Sequence, residues 1–252
     1  MRLDSYLFEN GYYSSRTKAS QAVDSGEVLV DGKLVKPSYD VKGLEKIEIV
    51  KPQEFVSLGG YKLKKAIDDF EFFVKDKVFA DIGASTGGFT DCLLKRGAKK
   101  VYAIDVGENQ LDISLKNDER VVVLDKTNAR FIDENTLSEK VDGAVIDCSF
   151  ISLKNVLFPA CKCLKEDGTI IALIKPQFEC GKKSLSSNGI VTSKKERIRA
   201  CGEIYDYILS LNLVPKKITT SPIVKGKNVE YLIMITRCGE PFKKEELASL
   251  IN

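Results

Sequence analysis

Asp81-Ile82-Gly83-Ala84-Ser85-Thr86-Gly87-Gly88-Phe89-Thr90 closes an apolar run that begins at Val78 and opens a helical pattern. Its glycines and small hydroxyl residues let backbone approach a ligand closely where a strand gives way to a helix. Ser85 stands where a G-x-G-x-x-G dinucleotide loop needs its second glycine, so a nicotinamide-dependent reductase would share the strand but not the loop. There is no G-K-[ST] ending either, and a neutral glycine-rich turn suits a nucleoside better than a triphosphate. Gly83, Ser85, Thr86, Gly87, Gly88 and Phe89 are therefore candidate ligand contacts. The next apolar run ends in Asp105, roughly 20 residues on, where a carboxylate can accept both hydroxyls of a ribose.

Outward from this loop, apolar runs alternate with helical stretches. The runs are Val78 to Ile82, Val101 to Val106, Val121 to Leu124, Gly143 to Ile146 and Thr169 to Ile174. Such alternation predicts a parallel, doubly wound α/β sheet covered on both faces. Ser193-Lys-Lys-Glu196 is a capping box, and Ile198, Ile204, Tyr205, Ile208 and Leu211 recur behind it at helical spacing. Two β-branched segments, Lys217 to Ile223 and Glu230 to Thr236, then form a closing hairpin-like pair. Seven strands of this kind suit a methyltransferase sheet better than a six-stranded dinucleotide fold.

Ligands of open α/β sheets bind at the carboxyl ends of the parallel strands. The fourth run ends in Asp147 and the fifth in Lys175. An antiparallel final strand would begin at the same edge and bring Glu230 there, and Lys62, on a helix ahead of the first strand, can fold over it. Two amines and two carboxylates form a set able to activate a hydroxyl. A lysine accepts a proton only when neutral; a second cation and exclusion of water favour that state, and a carboxylate opposes it. Lys175 is the expected base, Lys62 its helper or oxyanion partner, and Asp147 and Glu230 the groups that orient them. No metal is required.

The first fifty residues have a different texture. Leu3, Tyr6 and Leu7, then Ala19, Ala22 and Val23, predict two short helices around Gly11, with Ser15 capping the second. Gly26 to Val35 reads as a hairpin about Asp31-Gly32, and Lys46 to Val50 is again strand-like. Lys51-Pro52-Gln53-Glu54 has the proline and charges of a linker, which we place at 51–58 between domains at 1–50 and 59–252.

Composition narrows the chemistry. The chain has no histidine, which removes serine–histidine triads and H-E-x-x-H metalloproteases. Its 39 Lys+Arg nearly balance 36 Asp+Glu, so affinity for nucleic acid must come from local clusters. The seven cysteines form no C-x-x-C pair, Cys161 and Cys163 are too sparse for zinc, and no secretory leader is evident. Reduced thiols and a cytoplasmic location are expected. No apolar stretch nears the roughly 20 residues of a membrane span.

The order Arg2-Leu3-Asp4, Ser15-Arg16-x-x-Ala19, Gly26-x-Val28-x-Val30-Asp31-Gly32 and Lys36-Pro37-Ser38 resembles the S4 RNA-binding domain. That resemblance implies that Arg2, Arg16, Lys18, Lys33 and Lys36 face phosphate, contacts that position RNA without reading its sequence. Asp81 to Thr90 is similar to motif I of S-adenosylmethionine methyltransferases with the FtsJ-type fold. This implies that Asp81 lies near the methionine end of the cofactor and that Asp105 holds its ribose, with Asp125 a candidate for the adenine edge. Lys62, Asp147, Lys175 and Glu230 match the Lys–Asp–Lys–Glu tetrad of ribose 2′-O-methyltransferases. The whole chain resembles the TlyA family, which joins an S4 domain to this fold and methylates cytidine 2′-hydroxyls of ribosomal RNA. Relatives have also been labelled hemolysins, so a cytolytic or purely RNA-binding protein is the alternative. Leu58 departs from the family, many of whose members carry Arg there. The short N-terminal start and slight C-terminal tail resemble the shorter form of the family, which implies action on large-subunit RNA. Finally, Phe178 to Thr192, polar and rich in Gly and Ser, is expected to be a mobile loop whose Lys182 and Lys183 meet phosphate.

Overall fold

The structure, a computed structural model, describes residues 1–50, 54–222 and 226–251. It divides into two compact units, Met1–Glu54 and Phe55–Asn252.

The first unit opens with helices α1 (Leu3–Glu9) and α2 (Arg16–Asp24), the latter capped by Ser15, whose hydroxyl accepts from the Lys18 amide at 3.2 Å. Strands β1 (Val28–Val30) and β2 (Lys33–Leu34) form the expected hairpin. Asp31 and Gly32 both have positive φ, 51° and 73°, the geometry that lets a two-residue turn follow the twist of its strands. Strand β3 (Ile47–Ile49) pairs antiparallel with the other side of β1. Leu3, Leu7, Ala19, Ala22, Val23, Val28 and Val30 close a small core between helices and sheet.

The second unit begins earlier than the sequence suggested. Phe55 is buried, packs edge-on to Tyr61 at 5.1 Å, and is followed by Val56, whose amide donates to Asp91. Residues 55–58 therefore belong to this unit rather than to a linker, while the expected linker residues 51–53 lie outside the described residues. Then come α3 (Gly59–Phe70), β4 (Val78–Ile82), α4 (Gly88–Lys95), β5 (Lys100–Ile104), α5 (Ile113–Lys116), β6 (Val121–Leu124) and β7 (Val141–Ile146). Helix α6 (Lys154–Cys163), β8 (Leu164–Ile174), α7 (Pro176–Glu179), α8 (Lys194–Ser210), β9 (Val214–Thr220), β10 (Tyr231–Thr236) and α9 (Leu247–Leu250) complete it.

Seven strands form one sheet in the order β6-β5-β4-β7-β8-β10-β9. The β4–β8 neighbours are parallel, and β10 is antiparallel to both β8 and β9. Side chains alternate between two cores: Val78, Ala80 and Ile82 enter one, and Phe79 enters the other with Val101 and Val145. Strand order reverses at β4, since β5 and β6 extend one way and β7 to β9 the other. A crevice is expected at the carboxyl ends of β4 and β7, the switch point.

Two boundaries differ in instructive ways. Strand β9 starts at Val214 rather than Lys217, because Pro215 falls at a register irregularity of the outermost strand, where a missing N–H is tolerated. Its expected end, Ile223, lies outside the described residues. The stretch from Phe178 to Thr192 is docked rather than loose. Cys180 and Val191 are buried against Ala200, Arg199 donates to the Cys180 carbonyl, and Asn228 accepts from the Val191 amide. Among the described residues no helix is long and apolar enough to cross a membrane.

Candidate active site

The loop after β4 is held in shape by three left-handed residues, Gly83, Ser85 and Gly87. A Cβ on Gly83 would come within 3.0 Å of the Asp147 carbonyl oxygen, so this glycine lets the ends of β4 and β7 pack closely. A Cβ on Gly88 would come within 2.8 Å of the Gly60 nitrogen, so bare backbone lets the start of α4 seat on the start of α3. That packing sets the position of α3, and hence of Lys62.

Beside this loop lies a cavity of about 580 Å³ at the carboxyl ends of β4, β5, β6 and β7. Its walls include Gly83, Ser85, Asp105, Gln110, Thr127, Asn128, Arg130, Asp147, Ser149 and Phe150. Asp105 accepts from the Ser85 amide at 2.8 Å and the Gly107 amide at 2.7 Å, one on each oxygen. A carboxylate offers about four acceptor sites, so both oxygens retain capacity for a diol. Thr86, Gly87, Gly88, Phe89 and Asp125, expected as contacts, are not among the wall residues. Gly87 is hemmed by Leu111 and Leu115, Phe89 is a core side chain, and the Thr86 carbonyl accepts from Asp112. Asp125 accepts from the Asn109 amide at 3.0 Å, bracing the loop after Asp105.

Asp81 is completely buried under the loop. Thr90 donates to one of its oxygens at 2.6 Å, and the other has no partner among the described residues. Burial, with the nearby Asp147 adding to it, pushes the carboxyl up to about 7 against the opposing pull of the Thr90 hydrogen bond. An orphaned acceptor of this kind fits a ligand that brings a donor or a cation. Burial also pushes the neighbouring Cys148 thiol up to about 12, which leaves no thiolate as a nucleophile.

The four expected reactive residues come together as two ion pairs. Lys175 Nζ lies 2.5 Å from Asp147 and donates to Ser149 Oγ at 2.7 Å. Lys62 Nζ lies 2.6 Å from Glu230 Oε2, and Gln177 donates to the other oxygen of Glu230 at 3.3 Å. The sheet register joins the pairs: Tyr231 opposes Ile174, so the next step of that ladder sets Glu230 beside Lys175. Lys175 itself is buried. Two amines and two carboxylates held on one edge of a parallel sheet, next to the cavity that Asp105 lines, can orient a hydroxyl, and an amine that gives up its own proton can take the hydroxyl's.

The remaining expected residues sit at the surface. Arg2 and Arg16 both pair with the buried Asp4, at 2.8 Å and 3.2 Å, while each stays about half exposed. Lys33, Lys36, Lys182 and Lys183 are exposed, and Lys18 is intermediate. Residue-by-residue reading missed Thr127, Asn128, Ser149, Phe150 and Gln177. Thr127 and Asn128 lie in the loop that Asp125 opens at the end of β6, a place the sequence marks. Ser149 and Gln177 each lie two residues beyond a tetrad member. Phe150, exposed, with φ 63° and its ring 5.3 Å from that of Phe178, is a large aromatic in an unfavourable backbone region beside the cavity.

Comparison with known proteins agrees with this architecture. Residues 55–237 match the FtsJ-like methyltransferase model and residues 1–46 the S4 domain model. The chain is 39% identical over 238 residues to the 16S/23S rRNA (cytidine-2′-O)-methyltransferase TlyA of Mycobacterium tuberculosis, covering 93% of this chain and 89% of that protein. It is 40% identical over 235 residues to Hemolysin A of Brachyspira hyodysenteriae, covering 92% and 98%. A solved structure described as a hemolysin from Streptococcus thermophilus superposes with a TM-score of 0.79 at 33% identity, covering 99% of this chain and 94% of that one. With a catalytic-domain model spanning most of its length and relatives matched nearly end to end, this chain belongs to the TlyA family of FtsJ-like methyltransferases.

Proposed function

We propose that this protein methylates a cytidine ribose 2′-hydroxyl of ribosomal RNA, using S-adenosylmethionine. The observation that carries the reading is the convergence of Lys175–Asp147 and Lys62–Glu230 on one sheet edge, beside the cavity that Asp105 lines. The cofactor supplies a methyl group on a positively charged sulfur. In this reading Asp105 holds its ribose hydroxyls, Gly83 and Ser85 admit it closely, and the free oxygen of Asp81 serves its ammonium end. Thr86, Gly87, Gly88, Phe89 and Asp125 support that pocket indirectly.

Lys175, in its neutral form, would take the proton of the 2′-hydroxyl, freeing that oxygen to accept the methyl group that the cofactor would supply. Asp147 and Ser149 aim its amine, and Lys62, steadied by Glu230, stabilises the developing oxyanion. This chemistry calls on no metal. Arg2, Arg16, Lys18, Lys33 and Lys36 of the first unit, with Lys182 and Lys183 of the second, supply phosphate contacts that position the RNA. Action on ribosomal RNA implies work in the cytoplasm.

Mass spectrometry of ribosomal RNA from cells with and without the gene tests the reading. A cytidine carrying 2′-O-methyl should disappear with the gene, and an unchanged modification map would refute it. A purely RNA-binding or cytolytic role is separated by Lys175→Ala, which should strongly lower methylation and leave RNA affinity intact.

A further inference from the structure

Helix α7 is a single turn that follows Lys175 directly and reaches Glu230. Pro176 follows Lys175 directly and is buried, fixing the exit of the chain from β8. Glu179, at its far end, accepts from Ser152 Oγ at 2.6 Å and from the Leu153 amide at 2.8 Å, which ties the turn to the segment that follows Asp147. Between these anchors stands Gln177. Its amide nitrogen donates to Glu230 Oε1 at 3.3 Å, while Lys62 holds Glu230 Oε2 at 2.6 Å. Glu230 is therefore clamped on both oxygens, by a cation and by a neutral amide. The orientation of that amide is determined by its partner, because the flipped form would set oxygen against carboxylate. Its own Oε1 is buried with no partner among the described residues, a cost tolerated only where the geometry is useful.

We propose that Gln177 is a positioning residue for methyl transfer, resting on the tetrad reading above: it locks Glu230, and through Glu230 it aims the Lys62 amine at the oxyanion. Removing the amide leaves Lys62 a carboxylate partner that can rotate, and small displacements of an aligned group are costly in rate.

The test is a steady-state and binding comparison of Gln177→Met, which keeps the bulk, and Gln177→Asn, which keeps an amide too short to reach. Both should lower kcat about tenfold. The KM for RNA, the S-adenosylmethionine affinity and the melting temperature should stay near wild type, a split that a purely structural role would not give. In a Lys62→Ala background Gln177→Met should add no further loss, because both act through one group. Wild-type kcat in Gln177→Met, a fall in cofactor affinity parallel to kcat, or a full additional loss in the Lys62→Ala background would each overturn the proposal. Lys62→Ala with wild-type turnover would instead overturn the tetrad reading from which it starts.

Discussion

Asp4 and Asp81 are both buried and are treated in opposite ways. In the first unit Asp4 lies between Arg2 and Arg16, and chiefly the hydrogen bond from Arg2 holds its carboxyl down at about 2. In the second unit Asp81 accepts from the Thr90 hydroxyl on one oxygen, and burial drives its carboxyl up to about 7. The first arrangement settles a charge so that two cations stay fixed at a surface. The second leaves one carboxyl oxygen without a partner among the described residues. In the function proposed above, the first arrangement serves RNA binding and the second the cofactor.

The largest effect expected from this contrast is at Lys175. Lys175→Ala should lower turnover by about 10²- to 10⁴-fold in a methyl-transfer assay, with RNA affinity by filter binding unchanged. Retained turnover would erase the division of labour between the units.

Asp81→Asn comes next and should act in two directions. The mutant should bind S-adenosylmethionine more weakly by calorimetry, and its unliganded form should melt higher than wild type at pH 8. Between about pH 4 and pH 7 the folded wild type holds a proton at Asp81 that the unfolded chain has lost, so wild-type stability falls as pH rises through that window. The mutant's advantage should therefore vanish near pH 4. An equal advantage at both pH values would contradict the assigned cause.

Asp4→Asn should do the reverse at a smaller scale. The native carboxyl is depressed, so its contribution is present above about pH 4 and is lost as pH falls towards 2. The mutant should melt lower at pH 7 and converge with wild type in acid, and the KM for RNA should rise several-fold at constant kcat as Arg2 and Arg16 lose their aim. Smallest of all, replacing Lys182 and Lys183 together by Ala should flatten the salt dependence of RNA binding by roughly 0.7 to 0.9 per lost phosphate contact. Turnover at saturating RNA should not change.

What was legible in the sequence follows from which interactions are local. The turn at Asp31-Gly32, the cap at Ser15 and the loop after β4 depend on backbone preferences of a few residues, and they stand where the sequence puts them. The convergence of Lys62, Asp147, Lys175 and Glu230 was readable because strand ends map onto one edge once the last strand is antiparallel. Gln177 and Ser149 were not, because their roles depend on side-chain reach across that register. Nor was the docking of residues 178–192, where only Cys180 and Val191 are buried and the other anchors are hydrogen bonds to backbone groups and side chains in a polar string. The Arg2–Asp4–Arg16 triad looks in sequence like ordinary surface charge, and only tertiary packing buries its centre.

The central claim, that the second unit's paired charges direct a methyl group to a ribose oxygen, is tested most directly by labelled transfer. Purified protein, ribosomal RNA and S-adenosylmethionine with an isotopic methyl group would be combined, and the digested nucleosides fragmented in a mass spectrometer. A labelled cytidine is expected whose sugar fragment carries the added mass and whose base fragment does not. Label on the base, or transfer undiminished in Lys175→Ala, would contradict it.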